Sequence, residues 1–129
     1  MVEWKDEYSV GIEVIDKQHK MLFDIVNRIQ ALMGDELIFD KYDGIIEIIN
    51  ELKDYTIEHF KTEEDYMLNI GYKKLFSQKV LHNDFVEKIN SIDFSQIDND
   101  HNKYLNEILV FVCDWLVMHI LKEDKLINA

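Results

Sequence analysis

Ile45-Ile46-Glu47-Ile48-Ile49-Asn50-Glu51-Leu52-Lys53-Asp54-Tyr55-Thr56-Ile57-Glu58-His59-Phe60-Lys61-Thr62-Glu63 is the run on which the reading of this chain turns. Ile45, Ile48/Ile49, Leu52 and Tyr55 recur at steps of three and four, which marks one face of a helix. The same step carries on from Tyr55 to His59 and then to Glu63, so a stripe that begins as hydrocarbon ends in an imidazole and a carboxylate. An unpaired carboxylate on a core-facing position costs several kcal/mol and is normally excluded or protonated. Something cationic must compensate. The helical pattern extends from about Lys41 to Asn69, and Gly71 is a natural C-terminal stop.

Outward from this run, three more stripes appear. Asp16 is an expected N-cap for a helix with Leu22, Ile25/Val26, Ile29 and Leu32/Met33 in phase, closed by Gly34. A stretch from about Lys73 to Asn90 has Leu75, Phe85 and Ile89 in phase. Asn90 to Asn99 reads as a polar connector, and about Asp100 to Leu121 carries Leu105, Ile108/Leu109, Val112 and Trp115/Leu116. Met1 to about Ile15 mixes Trp4, Tyr8, Val10, Ile12 and Val14 with charges around Gly11, which suits an extended arm laid over the rest. There is no proline, only four glycines and no repeat. The expected fold is all-α: an up-down-up-down four-helix bundle with an extended N-terminal arm.

Composition narrows the function. Fourteen Lys+Arg against 26 Asp+Glu give a net charge of −12, which repels phosphate backbones and anionic lipid and argues against nucleic-acid and membrane partners. Cys113 lies in an apolar run and reads as a small core residue in a reducing compartment. The first twenty residues hold no apolar signal-like region and no run approaches the ~18 apolar residues of a membrane span, so a cytoplasmic location is expected. The Glu/Asp-rich outer faces read as solvated surface.

Each remaining stripe is also interrupted by polar residues. Stepping back from Leu22 gives His19, the third stripe passes through Gln78 and His82, and the fourth meets His119 four residues after Trp115. In an up-down bundle the start of the first helix, the end of the second, the start of the third and the end of the fourth share one end. His19, His59/Glu63, Gln78/His82 and His119/Asp124 occupy those places. The steps from His59 to Glu63 and from Gln78 to His82 are i, i+4 and keep both members on one face. Asp124 follows His119 by five, about 140° off in an ideal helix, so it must lean in from a flank or a loosened last turn. His101 sits eighteen residues before His119, roughly 27 Å along the helix, and reads as a surface or capping histidine. Imidazoles with two carboxylates suit a dinuclear iron centre better than a closed four-ligand zinc site. The Glu-x-x-His pairs of the ferritin-like plan and the Cys-x-x-Cys-His of attached haem are absent.

At these residues the chain resembles the hemerythrins, and their bacterial members in particular. The resemblance rests on Trp4 with Val10-Gly11, Ile15-Asp16-Lys17-Gln18-His19, His59-Phe60-Lys61-Thr62-Glu63-Glu64, Met67 with Gly71-Tyr72, His82 with Phe85, and Trp115-Leu116-Val117-Met118-His119-Ile120 with Asp124. It covers nearly the whole chain, implying one hemerythrin-like domain over residues 1–129. It further implies a non-haem site of two iron ions bridged by Glu63, Asp124 and an oxo or hydroxo group, with reversible O₂ binding at an open position. By the resemblance His19 and His59 hold that iron, and Trp115, Leu116 and Ile120 line the ligand pocket beside it, dry enough to admit O₂ or NO.

The departure is at Gln78, where the family has a third histidine beside His82 and His119. A carboxamide oxygen is a neutral, weaker donor than imidazole. Three outcomes are open: Gln78 ligates iron through oxygen, hydrogen-bonds a water in that position, or leaves a second vacancy. Each makes that iron more labile. Two function classes follow: an O₂-binding protein for storage, delivery, scavenging or sensing, and a peroxidase-like or NO/O₂-reducing di-iron enzyme. No positioned acid, base or nucleophile for an organic substrate can be identified, which favours the binding protein. Oligomeric state is not legible.

Overall fold

In the computed structural model the described residues are 2–35, 42–95 and 101–128, with the side chains of His101 and Asn102 outside the description. Among them are four long helices and no strand: α1 (Glu13–Met33), α2 (Tyr42–Asn69), α3 (Leu75–Asn90) and α4 (His101–Lys122). α1 packs on α2, α2 on α3 and α4 on α1. The stripes are the core: Leu22, Ile25, Val26, Ile29, Ile45, Ile49, Leu52, Phe85, Ile89, Leu105, Leu109 and Val112 are all buried. The expected capping role of His101 and residues 96–99 of the expected Asn90–Asn99 connector lie outside the described residues.

The α2–α3 corner follows from one glycine. Gly71 has φ +67°, and the amides of Gly71 and Tyr72 return to the carbonyls of Leu68 and Met67 at 3.2 and 2.9 Å. This Schellman closure satisfies the last carbonyls of α2 and turns the chain back within a few residues.

The N-terminal arm is extended except for a 3₁₀ turn at Asp6–Tyr8. Trp4, Tyr8 and Phe23 form an aromatic cluster with ring centroids 5.6–6.0 Å apart, and Asn27 brackets Val2 through both its amide groups. One expectation is corrected here. Helix α1 begins at Glu13 with Ile12 at the N-cap, so Asp16 lies inside the first turn. Its carboxylate instead accepts from the Val10 amide at 2.8 Å and the Ser9 hydroxyl at 2.6 Å, because the arm folds back over the helix start and brings those donors to it.

A second correction concerns α4. The segment Lys103–Asn128 contains a window of mean hydropathy 1.6 and is long and apolar enough, by length and composition, to cross a membrane. Counting uninterrupted apolar runs missed it because Glu107 and Asp114 break the run. Leu105, Leu109, Val112, Leu116 and Ile120 of this helix are spent on the bundle core, and the core helix of a bundle passes the same hydropathy test. Cys113 is half-buried rather than fully internal, and burial pushes its thiol above its ordinary value.

Gly11 and Gly71 differ in what a methyl group would meet. At Gly71 nothing lies within 4 Å, whereas at Gly11 (φ +79°) a Cβ would come within 2.6 Å of Asn128 Nδ2. Gly71→Ala is therefore expected to cost about 1–2 kcal/mol from the left-handed backbone alone, and Gly11→Ala more, as read by urea unfolding of the two variants.

Candidate metal centre

Helix alternation brings six side chains to one end of the bundle. His19 stands in the second turn of α1, His59 and Glu63 near the end of α2, His82 in α3, and His119 near the end of α4. Asp124 arrives by a different route. Helix α4 stops at Lys122, and a separate 3₁₀ turn, Asp124–Asn128, begins at the carboxylate itself, so Asp124 is placed by the break after the helix and not by the helical phase of the i, i+5 step. All six are at most 6 % exposed, and Gln78 joins them at 1 %.

The contacts form two sets that share both carboxylates. Glu63 Oε1 lies 3.2 Å from His19 Nε2 and in close contact with His59 Nε2, while its Oε2 is 3.7 Å from His82 Nε2. Asp124 places Oδ2 3.2 Å from His19 Nε2 and Oδ1 3.2 Å from His119 Nε2. His82 and His119 point their Nε2 atoms at each other, 3.1 Å apart. Within each set, His19–His59–Glu63–Asp124 and Glu63–His82–His119–Asp124, the ligand atoms lie within 4.8 Å of one another. That is room for two adjacent cations bridged by two carboxylates.

Whether the donors fit such ions is answered by what is left unpaired. The buried side-chain atoms without a hydrogen-bond partner include Glu63 Oε2, Asp124 Oδ2, Gln78 Oε1 and His19 Nδ1. Three oxygen acceptors orphaned together in an apolar interior require positive charge. Gln78 donates its amide nitrogen to Asp124 Oδ1 at 3.2 Å, which leaves its carbonyl oxygen as the free end, a hard neutral donor suited to a metal.

The outer hydrogen bonds fix the histidine tautomers. The Thr62 hydroxyl donates to the Glu58 carbonyl at 3.1 Å and accepts from Gln18 Nε2 at 3.3 Å. Gln18 must therefore turn its Oε1 to His59 Nδ1, 2.7 Å away, so the proton of His59 sits on Nδ1 and the Nε2 lone pair faces inward. Glu64 does the same for His82, accepting from Nδ1 at 2.8 Å. Partners of this kind orient a ligating imidazole and raise its basicity. Sequence reading missed both roles. Glu64, 25 % exposed, looked like solvated surface, and only its position one residue after Glu63 hinted otherwise.

Protons mark the same spot. Burial opposes charge on His19, but Asp124 and Glu63 on its Nε2 together outweigh it and raise the imidazole to about 9. For Glu63, burial favours the neutral acid, yet His59 and His19 hold its carboxyl well below the usual carboxylate range. Burial is the largest influence on His82 and lowers it, against the pull of Glu63 and Glu64. Without metal, a proton on His19 stands in for a cation.

These features coincide with a known pattern. The family profile "Hemerythrin HHE cation binding domain" matches residues 10–129. The chain belongs to the hemerythrin family. It is 47 % identical to the bacteriohemerythrin of Clostridium acetobutylicum over 97 % of each chain. It is 33 % identical to that of Pseudomonas paraeruginosa, over 94 % of this chain and 75 % of the relative. A crystal structure of wild-type hemerythrin superposes with a TM-score of 0.84 at 28 % identity, covering 100 % of this chain and 99 % of that one. The all-α four-helix bundle expected from the stripes is thus the fold of this hemerythrin.

The three residues expected to line a pocket are placed as follows. Trp115 stacks on His119 (centroids 4.4 Å, 10° between planes) and on Phe85 (4.2 Å, 23°), on the His82/His119 side. Leu116 and Ile120 are buried on either side of His119 in the sequence, at 3 % and 1 % exposure.

Two outcomes are expected. Below the ordinary value of 6.5, His19 is protonated whether folded or not and its stabilising contribution is complete, then lost as pH rises through about 9; the Glu63 contribution is present above 4.5 and lost on acidification. Thermal melts of chelator-treated protein should therefore peak between those limits and fall toward pH 9, whereas the metal-loaded form should stay level across that upper window. Gln18→Leu, which frees the His59 ring, should weaken metal binding about 10–100-fold in a competition titration.

Proposed function

We propose that this chain is a non-haem di-iron protein that binds O₂ reversibly, for storage, delivery, scavenging or sensing, in the cytoplasm. The observation that carries the reading is the sharing of Glu63 and Asp124 between two imidazole sets, since a single metal needs no such division. His19 and His59 would hold one iron, and His82, His119 and the Gln78 carbonyl oxygen the other, with an oxo or hydroxo group completing the bridge. When bound, a ferrous pair would supply the reducing power that O₂ binding draws on.

The protein's part is enclosure and orientation. Gln18 and Glu64 hold two imidazoles with their lone pairs inward. Leu116 and Ile120 keep that end of α4 apolar, and Trp115 immobilises the His119 ring by stacking. Exclusion of bulk water limits proton access and loss of the bound ligand. NO and peroxide are the other small ligands that such a site could take. The second reading, a peroxidase-like or NO/O₂-reducing enzyme, is favoured by one observation, the neutral Gln78 in place of a third imidazole on one side.

Anaerobic loading with ferrous iron should give two irons per chain. Adding O₂ should then produce a coloured species whose absorption disappears under vacuum. One iron per chain at saturation, or no oxygen adduct, would reject the reading, and sustained turnover with a reductant would select the enzyme. Gln78→His should slow iron loss to a chelator.

A further inference from the structure

Residues 66–83 contain no Asp or Glu, the longest such run in a chain with 26 acids, yet they carry Lys73, Lys74 and Lys79. This run forms the α2–α3 corner at the metal end of the bundle. It also holds the most exposed apolar side chains of the described surface: Phe76 is 78 % exposed and Leu68 67 %, with Ile70 and Val80 nearby in sequence at 49 % and 45 %. Lys61 on α2 adds a fourth exposed cation beside Leu68's helical stripe. None of these lysines forms an ion pair with a described residue.

The groove between α2 and α3 leads from this surface to the centre. Ile57, Lys61 and Glu64 line one side, Lys79 and Asn83 the other, and Phe60 and His82 form its floor. The Phe60 ring lies flat on the His82 imidazole, centroids 3.8 Å apart at 2°. His82 Nδ1 continues outward through its bond to the partly exposed Glu64. A ligand imidazole thus connects by direct contact to a lysine-flanked, apolar-centred surface.

Charge selects what can sit there. At a net −12 the molecule repels an acidic protein over most of its surface, and the acid-free run 66–83 with its three lysines is where such a partner meets little repulsion and has cations to pair with. An apolar centre within a charged rim is the form of a transient interface. A buried ferrous site that has lost electrons to O₂ must regain them across the protein. We propose that the α2–α3 face around Phe76, Lys61 and Lys79 is the docking surface for an acidic one-electron carrier protein, with Phe60 and His82 as the point of electron entry. The proposal rests on the di-iron reading. Each encounter oxidises the carrier by one electron and reduces one ferric ion to ferrous; two encounters restore the diferrous pair.

The test uses iron-loaded, oxidised full-length protein, with a reduced acidic [2Fe–2S] ferredoxin as probe and dithionite as a small reductant that needs no docking. Lys61→Glu/Lys79→Glu and Phe76→Ser should each slow reduction by ferredoxin about tenfold, leave the dithionite rate and iron content unchanged, and weaken calorimetric binding of oxidised ferredoxin in parallel. Added salt should narrow the gap between the wild-type and charge-reversed rates with ferredoxin. If a charge-reversed variant loses iron, the milder Lys61→Gln/Lys79→Gln pair replaces it. Equal ferredoxin rates and affinities in all variants, a gap between them that salt leaves unchanged, or sedimentation showing that these residues instead hold a second copy of the chain would each overturn the proposal. A protein that holds no iron would overturn the di-iron reading first, and this proposal with it.

Discussion

Two buried carboxylates, each with one oxygen turned to either of two histidine pairs, are the constraint around which this end of the bundle is arranged. Glu63 and Asp124 are at most 1 % exposed, and an ionised acid in such surroundings survives only if its charge is answered within a few ångströms. Here the answer comes from four imidazoles on four helices. In the absence of metal it requires a proton on His19, and with metal the cations take over. The hydrocarbon stripes bring the helices together; the charge balance decides how their ends meet.

The two imidazole sets are not equivalent. His59 is oriented by a neutral carboxamide, that of Gln18, whose direction is dictated by Thr62 and the Glu58 carbonyl. His82 is oriented by the carboxylate of Glu64, which pulls more strongly on the imidazole proton and makes the ring a better donor. The stronger partner stands on the side where Gln78 replaces an imidazole.

Asp124 depends on more than its helix. It is held where α4 gives way to the 3₁₀ turn, and that turn is tied to the arm: Lys125 Nζ donates to the Glu7 carbonyl at 2.7 Å and Asn128 Nδ2 to that of Val10 at 3.3 Å. Val10 is in turn held by Asp16, and the positive φ of Gly11 leaves space for Asn128. An arm more than a hundred residues away in sequence thereby anchors the carboxylate that contacts both imidazole sets. This is a physical reason for the arm to be ordered in a protein whose four helices already enclose the core.

The stripes of Ile45, Ile49, Leu52, Leu22, Ile29, Leu105 and Val112 were readable as helices because a 3.6-residue period leaves an unambiguous trace, and polar residues on those stripes stood out because burial makes them costly. The burial of His19, His59, Glu63, His82 and His119 at one end of the bundle was therefore recoverable from spacing. The start of α1 was not, since Asp16 looks the same whether it caps a helix or ties down an arm. Neither was Glu64, which lies on the outer side of α2 and becomes a partner of His82 only when α3 is laid against it. The sharing of Glu63 and Asp124 between two sets, the tautomers of His59 and His82, and the groove floored by Phe60 are likewise properties of distances between helices. Local periodicity records which face of a helix is buried; the atoms that face meets depend on contacts between residues far apart in the chain, and no local pattern encodes them.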